Sequence, residues 1–311
     1  MVSNKTLWAL LIVLAILWFG PIDYRRLAKP DEARYAEISR EMVATGDWLT
    51  PRLNDLKYFE KPPLQYWATA AAYEIFGLSE GPARLWTALT GFAGILLTYF
   101  AGRVLFGRQQ GCFAAAVLAS GLWYVLLGHI NTLDMGLSFF LTLSVFGLLL
   151  AQREHAKRHQ QRNWMLIAWI GMALAVMSKG LIGIVLPGAA LVLYSILNRD
   201  AKIWTRLHLG KGLLLFLLIT APWFIAVSSA NPEFAQFFFI HEHFDRFAKS
   251  DHDRAGPMYY FLPLLLAGIL PWLLALIPAL LRSWKIQRGF EQYRFHPNRF
   301  LLIWCVFIFV F

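Results

Sequence analysis

Long apolar segments recur along this 311-residue chain, and they limit its possible folds more than any other feature. A helix needs about 20 apolar residues to cross the hydrocarbon core of a bilayer, and several segments reach that length. Hydrophobic residues make up 58% of the chain and charged residues only 15%, a composition too apolar for a water-soluble globular domain. The pattern predicts an all-α, polytopic helical membrane protein. The predicted spans are 6–22, 84–105, 110–128, 134–151, 164–179, 181–198, 212–229, 258–281 and 300 to the end.

The distribution of Lys and Arg predicts the orientation of these spans. With the N-terminus in the cytoplasm, the basic segments 152–162, 198–211 and 281–299 all fall on the inner side. This arrangement satisfies the positive-inside rule, because these segments hold many more basic than acidic residues. The net charge of +10 therefore indicates topology and attraction to anionic lipids. We expect no nucleic-acid partner.

The ends of the chain and its cysteines add three expectations. The first 20 residues hold one Lys and no small-residue cleavage site, which predicts a retained signal anchor. Residues 300–311 begin a ninth span and stop after about half of one, so we expect the natural protein to continue. Cys112 and Cys305 lie in apolar runs, which argues against a disulfide framework.

Two outer segments carry most of the charged and aromatic residues that could perform chemistry. The first, 23–83, mixes charges with Trp and Tyr, which suits helices lying at the membrane interface. Within it, Pro30 and Gly46 bracket one predicted helix and Pro63 opens another. The second outer segment is 231–257. The short loops 128–134 and 179–181 face the same side, so we expect polar residues from four segments to converge on one outer cavity.

Three acidic residues on the outer side each allow two interpretations. Asp31 and Glu32 stand at a helix start, where an acid caps free amides or serves as a catalytic carboxylate. Asp134 stands at the mouth of a span, where an acid is either another N-cap or a functional group.

The basic candidates also have a functional and a purely structural interpretation. Lys61 follows Glu60 and precedes two prolines, and its ammonium is suited either to a phosphate or to the lipid headgroups. Lys179, at another outer helix end, is either the cation that matches Asp134 or a lysine that reaches the lipid headgroups. Arg246 is suited to bidentate phosphate binding or to a pair with Glu242 four residues earlier. His241 could join Glu60 in a zinc site, or be an ordinary interfacial histidine.

Several long motifs resemble one known family. KPDEARYAEISREMVATGDWLTPRLNDLKYFEKPPLQYW is similar to the first periplasmic loop of the bacterial aminoarabinose transferases. NTLDM, SKGLIGIVLPG and PEFAQFFFIHEHFDRF follow in the family's order, and the resemblance covers essentially the whole chain. Those enzymes transfer 4-amino-4-deoxy-L-arabinose from undecaprenyl phosphate to lipid A. They belong to the GT-C glycosyltransferases, which include protein O-mannosyltransferases.

The resemblance implies roles for individual residues. Asp31 matches the family's essential acid and Asp134 a second functional acid, and with Arg34 they form the predicted catalytic group. Lys61 and Arg246 match groups that contact the donor phosphate. Glu60 and His241 match positions associated with a bound metal, which implies zinc or another divalent ion.

The resemblance also implies a location, partners and a mechanism. The enzyme would lie in the bacterial inner membrane with its site on the periplasmic side, and would continue into further spans and a periplasmic domain. It would use a donor linked to undecaprenyl phosphate and an acceptor that is lipid A, a glycan or a protein. We expect inversion at the anomeric carbon, without a nucleotide sugar. The main rival from another class is a polyprenyl-lipid transporter, although neither an internal repeat nor mid-span charges support it.

Overall fold

The computed structural model describes residues 3–245, 259–285 and 293–311, and this part of the chain is almost entirely helical. A single hairpin of two-residue strands, β1 and β2, interrupts the helices. A 3-10 helix, Ala201–Arg206, follows α9, and α11 is π-helical. The elements are α1 Asn4–Phe19, α2 Asp31–Thr45, β1 Arg52–Leu53, β2 Leu56–Lys57, α3 Leu64–Phe76, α4 Glu80–Phe106, α5 Arg108–Ser120, α6 Leu122–Leu127, α7 Leu133–Gln152, α8 Arg158–Lys179, α9 Ile182–Leu197, α10 Leu209–Ala230, α11 Gln236–Asp245, α12 Phe261–Gly268, α13 Leu273–Ser283 and α14 Pro297–Val310.

The described helices make the protein a multi-pass membrane protein. Helices α4, α7 and α10 are each long and apolar enough to cross a bilayer, and the bent pair α12–α13 has the composition of a fourth span. Shorter apolar helices α1, α9 and α14 fall where further spans are predicted. The prediction of an all-α polytopic fold is confirmed.

Close packing of α7 against α8 forms the centre of the bundle. A methyl group placed on Gly171 would lie 2.7 Å from the backbone nitrogen of Ser144, and one on Gly147 would lie 2.9 Å from that of Ala168. Small residues at such crossings let two helix backbones approach, which is how helices in membranes gain contact. Fully buried side chains such as Leu149 fill the space beside the crossing.

Two of the predicted continuous spans are each two helices in the structure. The segment predicted as 110–128 breaks at Gly121, and the segment predicted as 258–281 breaks before α13, where α12 and α13 meet at 105°. The two breaks bond to each other: the Leu122 amide donates to the Leu270 carbonyl at 3.3 Å, and Trp272 Nε1 donates to Ser120 Oγ at 2.9 Å. Irregular backbone is tolerated inside an apolar layer only where its polar groups find partners, and here each break supplies them.

The first outer segment is anchored from within. Helix α2 ends at Gly46, which has a positive φ of 71°, as its glycine predicts. The hairpin turn that follows has positive φ at Asn54 and Asp55, and both amides donate to the buried Glu41 carboxylate, at 2.5 and 3.2 Å. Helix α3 then begins after Pro63, again as predicted. This segment therefore has a fixed shape and presents its side chains at defined positions.

Candidate active site

The four predicted outer segments converge in the structure, as expected from the topology. Three contacts join them: Lys61 with Glu242, Asp134 with Lys179, and the Glu32 carboxylate with the Asn131 amide. Side chains and backbone of all four segments therefore meet on this side.

Asp31 lies at the first position of α2, and the prediction that it caps this helix is wrong. The N-cap residue is Pro30, and the Asp31 side chain makes no capping hydrogen bond. The Ala28 carbonyl accepts the Ala33 amide instead, at 3.3 Å, so the carboxylate is left facing outward with 56% of its side chain exposed. Its nearest cation is Arg34, at 3.8 Å. The Asp31 carboxylate is thus available to a ligand.

Arg34 and Glu60 are linked through one tyrosine. The interaction with the Tyr58 side chain raises the pKa of Arg34. The Tyr58 hydroxyl in turn donates to Glu60 Oε2 at 2.9 Å, and burial raises the pKa of Tyr58, so the hydroxyl keeps its proton. These contacts fix the position of Arg34 relative to Glu60. They thereby link the region of Asp31 to that of Lys61.

Lys61 is held by two oxygen atoms. Its Nζ donates to the Glu60 carbonyl at 2.9 Å and to Glu242 Oε2 at 3.1 Å. Both side chains of this ion pair are largely buried. The sequence predicts a pair between Glu242 and Arg246, but Arg246 lies outside the described residues. The partner that the structure gives Glu242 is Lys61, from the first outer segment.

Asp134 is paired with Lys179. The carboxylate stands in the first turn of α7, where Thr132 is the N-cap residue, so Asp134 does not cap this helix. The Lys179 ammonium at the end of α8 donates to Asp134 Oδ1, and both side chains remain partly exposed. The two residues that the sequence placed at neighbouring helix ends therefore form one ion pair at the cavity.

The two predicted metal ligands have other contacts. Glu60 accepts from Tyr58, and the His241 ring lies against Phe237 with ring centres 5.3 Å apart. Within residues 3–245, 259–285 and 293–311, no group of three His, Cys, Asp or Glu side chains could hold a metal ion. The described residues thus do not fit a complete zinc site, and the metal stays a prediction.

Sequence reasoning named Glu32 as a candidate acid but missed its buried ion network. Its carboxylate is 1% exposed and accepts from Arg84 Nε at 2.8 Å, Arg25 Nη1 at 2.6 Å, and the amides of Ala28 and Asn131 at 2.8 and 2.9 Å. Burial by itself would raise its pKa, but the hydrogen bonds from both arginines and both amides outweigh burial and lower the pKa to about 2. The sequence signal for this network was Arg84 near the start of the apolar helix α4, because a charge in that position requires a partner.

An apolar groove of about 580 Å³ opens between α8 and α10. Val176, Phe216, Phe224 and Ile225 contribute to its walls. Phe239 of α11, three residues before Glu242, also lines it. A long hydrocarbon chain fits such a surface, and α11 is the helix that also contacts Lys61.

Comparisons with known proteins follow the same features. Residues 3–238 match the sequence profile of the family described as dolichyl-phosphate-mannose-protein mannosyltransferase. An undecaprenyl phosphate-alpha-4-amino-4-deoxy-L-arabinose arabinosyl transferase of Erwinia tasmaniensis is 34% identical over 305 residues, covering 97% of this chain and 54% of the relative. A Pseudomonas fluorescens protein of the same description is 34% identical over 308 residues, 96% of this chain and 54% of that one. The chain thus spans about half the length of these curated relatives.

Solved structures agree. The crystal structure of ArnT from Cupriavidus metallidurans bound to undecaprenyl phosphate superposes with a TM-score of 0.92 at 43% identity, covering 99% of this chain and 55% of that one. An Archaeoglobus fulgidus oligosaccharyltransferase at 17% identity and a TM-score of 0.66, over 99% of this chain and 47% of that one, shares the fold. The resemblance predicted from the motifs is confirmed.

Proposed function

The chain belongs to the dolichyl-phosphate-mannose-protein mannosyltransferase family, and we propose that it acts as a GT-C glycosyltransferase. The proposed reaction moves 4-amino-4-deoxy-L-arabinose from undecaprenyl phosphate to a lipid A phosphate. The proposed location is the bacterial inner membrane, with the site on the periplasmic side. Relatives that are 34% identical carry this donor in their descriptions.

The observation that carries the proposal is the position of Lys61. Its ammonium contacts Glu242 of α11, and Phe239 of the same helix is among the residues that line the apolar groove. A lipid carrier has one polar group at the end of a long hydrocarbon chain. One helix that both lines an apolar groove and contacts a cation is suited to such a carrier.

In the proposed mechanism, the carrier tail lies in the groove and its phosphate binds Lys61 and Arg246. Attack by an acceptor oxygen forms a bond to the anomeric carbon while the bond from that carbon to the phosphate oxygen breaks. Undecaprenyl phosphate leaves with the electron pair, and the two cations stabilise the charge that develops on it. Direct displacement inverts the anomeric carbon.

Asp31 and Asp134 have separate tasks in this mechanism. An acceptor phosphate is already anionic, so it needs little help from a base, and Asp31 with Arg34 acts mainly by positioning. For a hydroxyl acceptor, as in a protein O-glycosyltransferase, Asp31 would take the proton. Lys179 holds Asp134 at the rim of the cavity, where it can orient the sugar.

The test compares two lysines of the same outer segment. Lys61→Ala should reduce transfer from the undecaprenyl-linked donor by about 10- to 150-fold, because a charge-assisted contact is worth about 1.5–3 kcal/mol. Lys57→Ala removes an equally charged side chain that pairs with Glu233 at 2.6 Å on the exposed surface, and should leave transfer unchanged. Donor use at the wild-type rate by Lys61→Ala would remove Lys61 from the site.

A second measurement identifies the acceptor. Mass spectrometry of lipid A and of periplasmic glycoproteins, with and without the intact gene, should show the added pentose on lipid A. The same mass on a protein instead would assign the protein O-glycosyltransferase activity. Transport of the undecaprenyl-linked sugar across vesicles without transfer would assign the transporter.

A further inference from the structure

Lys61 and Glu242 form an ion pair in which one positive and one negative charge offset each other before the donor arrives. The Glu242 side chain is 8% exposed and that of Lys61 is 15% exposed, with 3.1 Å between their charged atoms. A carboxylate so far removed from water is costly unless a cation accompanies it. Lys61 of the first outer segment is this cation.

A donor phosphate changes this balance. When the phosphate binds Lys61, it brings a negative charge close to the Glu242 carboxylate, and like charges repel strongly where little water screens them. A donor with a neutral sugar adds only negative charge. A donor with an amino sugar also carries an ammonium group, a few ångströms from its phosphate, and so returns a positive charge to the carboxylate.

We propose that Glu242 is the residue that recognises the ammonium group of an amino sugar, and that the Lys61 ammonium occupies this position while the donor is absent. Binding then exchanges partners: Lys61 turns to the phosphate and Glu242 to the sugar ammonium. This assignment rests on the proposed function. In this assignment, the phosphate of the donor pairs with Lys61 and its ammonium group pairs with Glu242.

The position of Glu242 along the chain supports this role. Phe239, three residues earlier on α11, is one of the residues that line the apolar groove. The helix that carries the carboxylate therefore also contributes to the surface proposed for the lipid tail of the donor. π-helical segments such as α11 are frequent at functional sites. Asp31, another carboxylate on the outer side, has 56% of its side chain exposed. Its interaction with an ammonium group would be less selective, because water screens the charge.

The experiment measures three dissociation constants for the purified intact protein in detergent. The probes are undecaprenyl phosphate, undecaprenyl-phosphate-linked 4-amino-4-deoxy-L-arabinose, and the matching donor with a 4-hydroxyl group. Wild type should bind the amino donor at least about tenfold more tightly than the hydroxyl donor. Glu242→Gln should lose most of this preference and still bind undecaprenyl phosphate, because Lys61 is then released.

Glu233→Gln is the control, because it removes an acid of the same outer segment, 231–257, whose partner, Lys57, lies on the exposed surface. It should keep the full preference. Glu242→Asp keeps the charge and should retain part of the preference, which gives a second reading if Glu242→Gln is unstable.

Each alternative result has its own meaning. Equal binding of both sugar donors by wild type, or an unchanged preference in Glu242→Gln, would overturn the role of Glu242 and leave the donor site intact. Failure of wild type to bind undecaprenyl phosphate at all would instead overturn the proposed function.

Discussion

Replacing Glu32 with Gln tests whether the buried ion network holds the outer region together. The substitution keeps the shape of the side chain but removes its charge, which leaves Arg84 buried without a full counter-charge. The pKa of Glu32 falls from 4.5 to about 2, and this difference corresponds to about 3 kcal/mol of folded-state stability at neutral pH. Removing one partner of a buried ion pair costs about 3–5 kcal/mol, so the two magnitudes agree.

Thermal unfolding in detergent provides the assay. At about 2 °C per kcal/mol for a chain of this size, Glu32→Gln should lower the melting temperature by about 6 °C. Glu37→Gln is the matched control from the same helix, because its bond to Arg40 lies on the surface, and it should change the melting temperature by about 1 °C. A melting temperature for Glu32→Gln within 1–2 °C of that of Glu37→Gln would refute the energetic argument.

Three further predictions follow from the same geometry. Asp31→Asn should have the melting temperature of wild type, because Asp31 caps no backbone amide, yet it should lose nearly all transfer activity. Transfer at the normal rate would show that Asp31 is not the catalytic acid, and Asp134 would be the next candidate. Reporter fusions after Arg162 should report the cytoplasm and those after Lys57 the outer side, and a cytoplasmic signal at Lys57 would contradict the placement of the site. Because the pKa of Glu32 is lowered, its stabilisation is present above pH 4.5 and lost as the pH falls towards 2, so melting temperatures over that range should fall less steeply for Glu32→Gln than for wild type.

The elements set by local signals could be predicted from the sequence. Gly46 marks the end of α2 because its positive φ suits a residue without a Cβ, and Pro63 marks the start of α3. The apolar periodicity also predicts an all-helical membrane fold. These signals act over a few residues, so they need no knowledge of distant partners.

The helix breaks could not be predicted in the same way. The mean hydropathy of a window shows that 110–128 and 258–281 are apolar. It does not show where a helix ends within such a run. The interruption at Gly121 depends on the Leu270 carbonyl, which accepts the amide that follows it. Such a partner becomes visible only when the two segments are placed together.

The site shows the same limit. Glu32 was seen as a neighbour of Asp31, yet its main partner, Arg84, lies 52 residues away. The spacing offers Glu242 a local pair with Arg246, but its contact with Lys61, 181 residues away, is visible only in the structure. The resemblance identifies which residues matter. The ion pairs that decide their charge state depend on the fold.

The mutual bonding of the two helix breaks also affects how the protein enters the membrane during synthesis. Ser120 and Trp272 lie 152 residues apart, so a ribosome working at about 5–20 residues per second delivers the second break about 8–30 s after the first. For that interval, the Leu122 amide has no partner from the second break. Water or the insertion machinery has to satisfy this amide until α12 and α13 arrive. The order of the segments along the chain therefore delays the bonding between the two breaks until the second one has been synthesised.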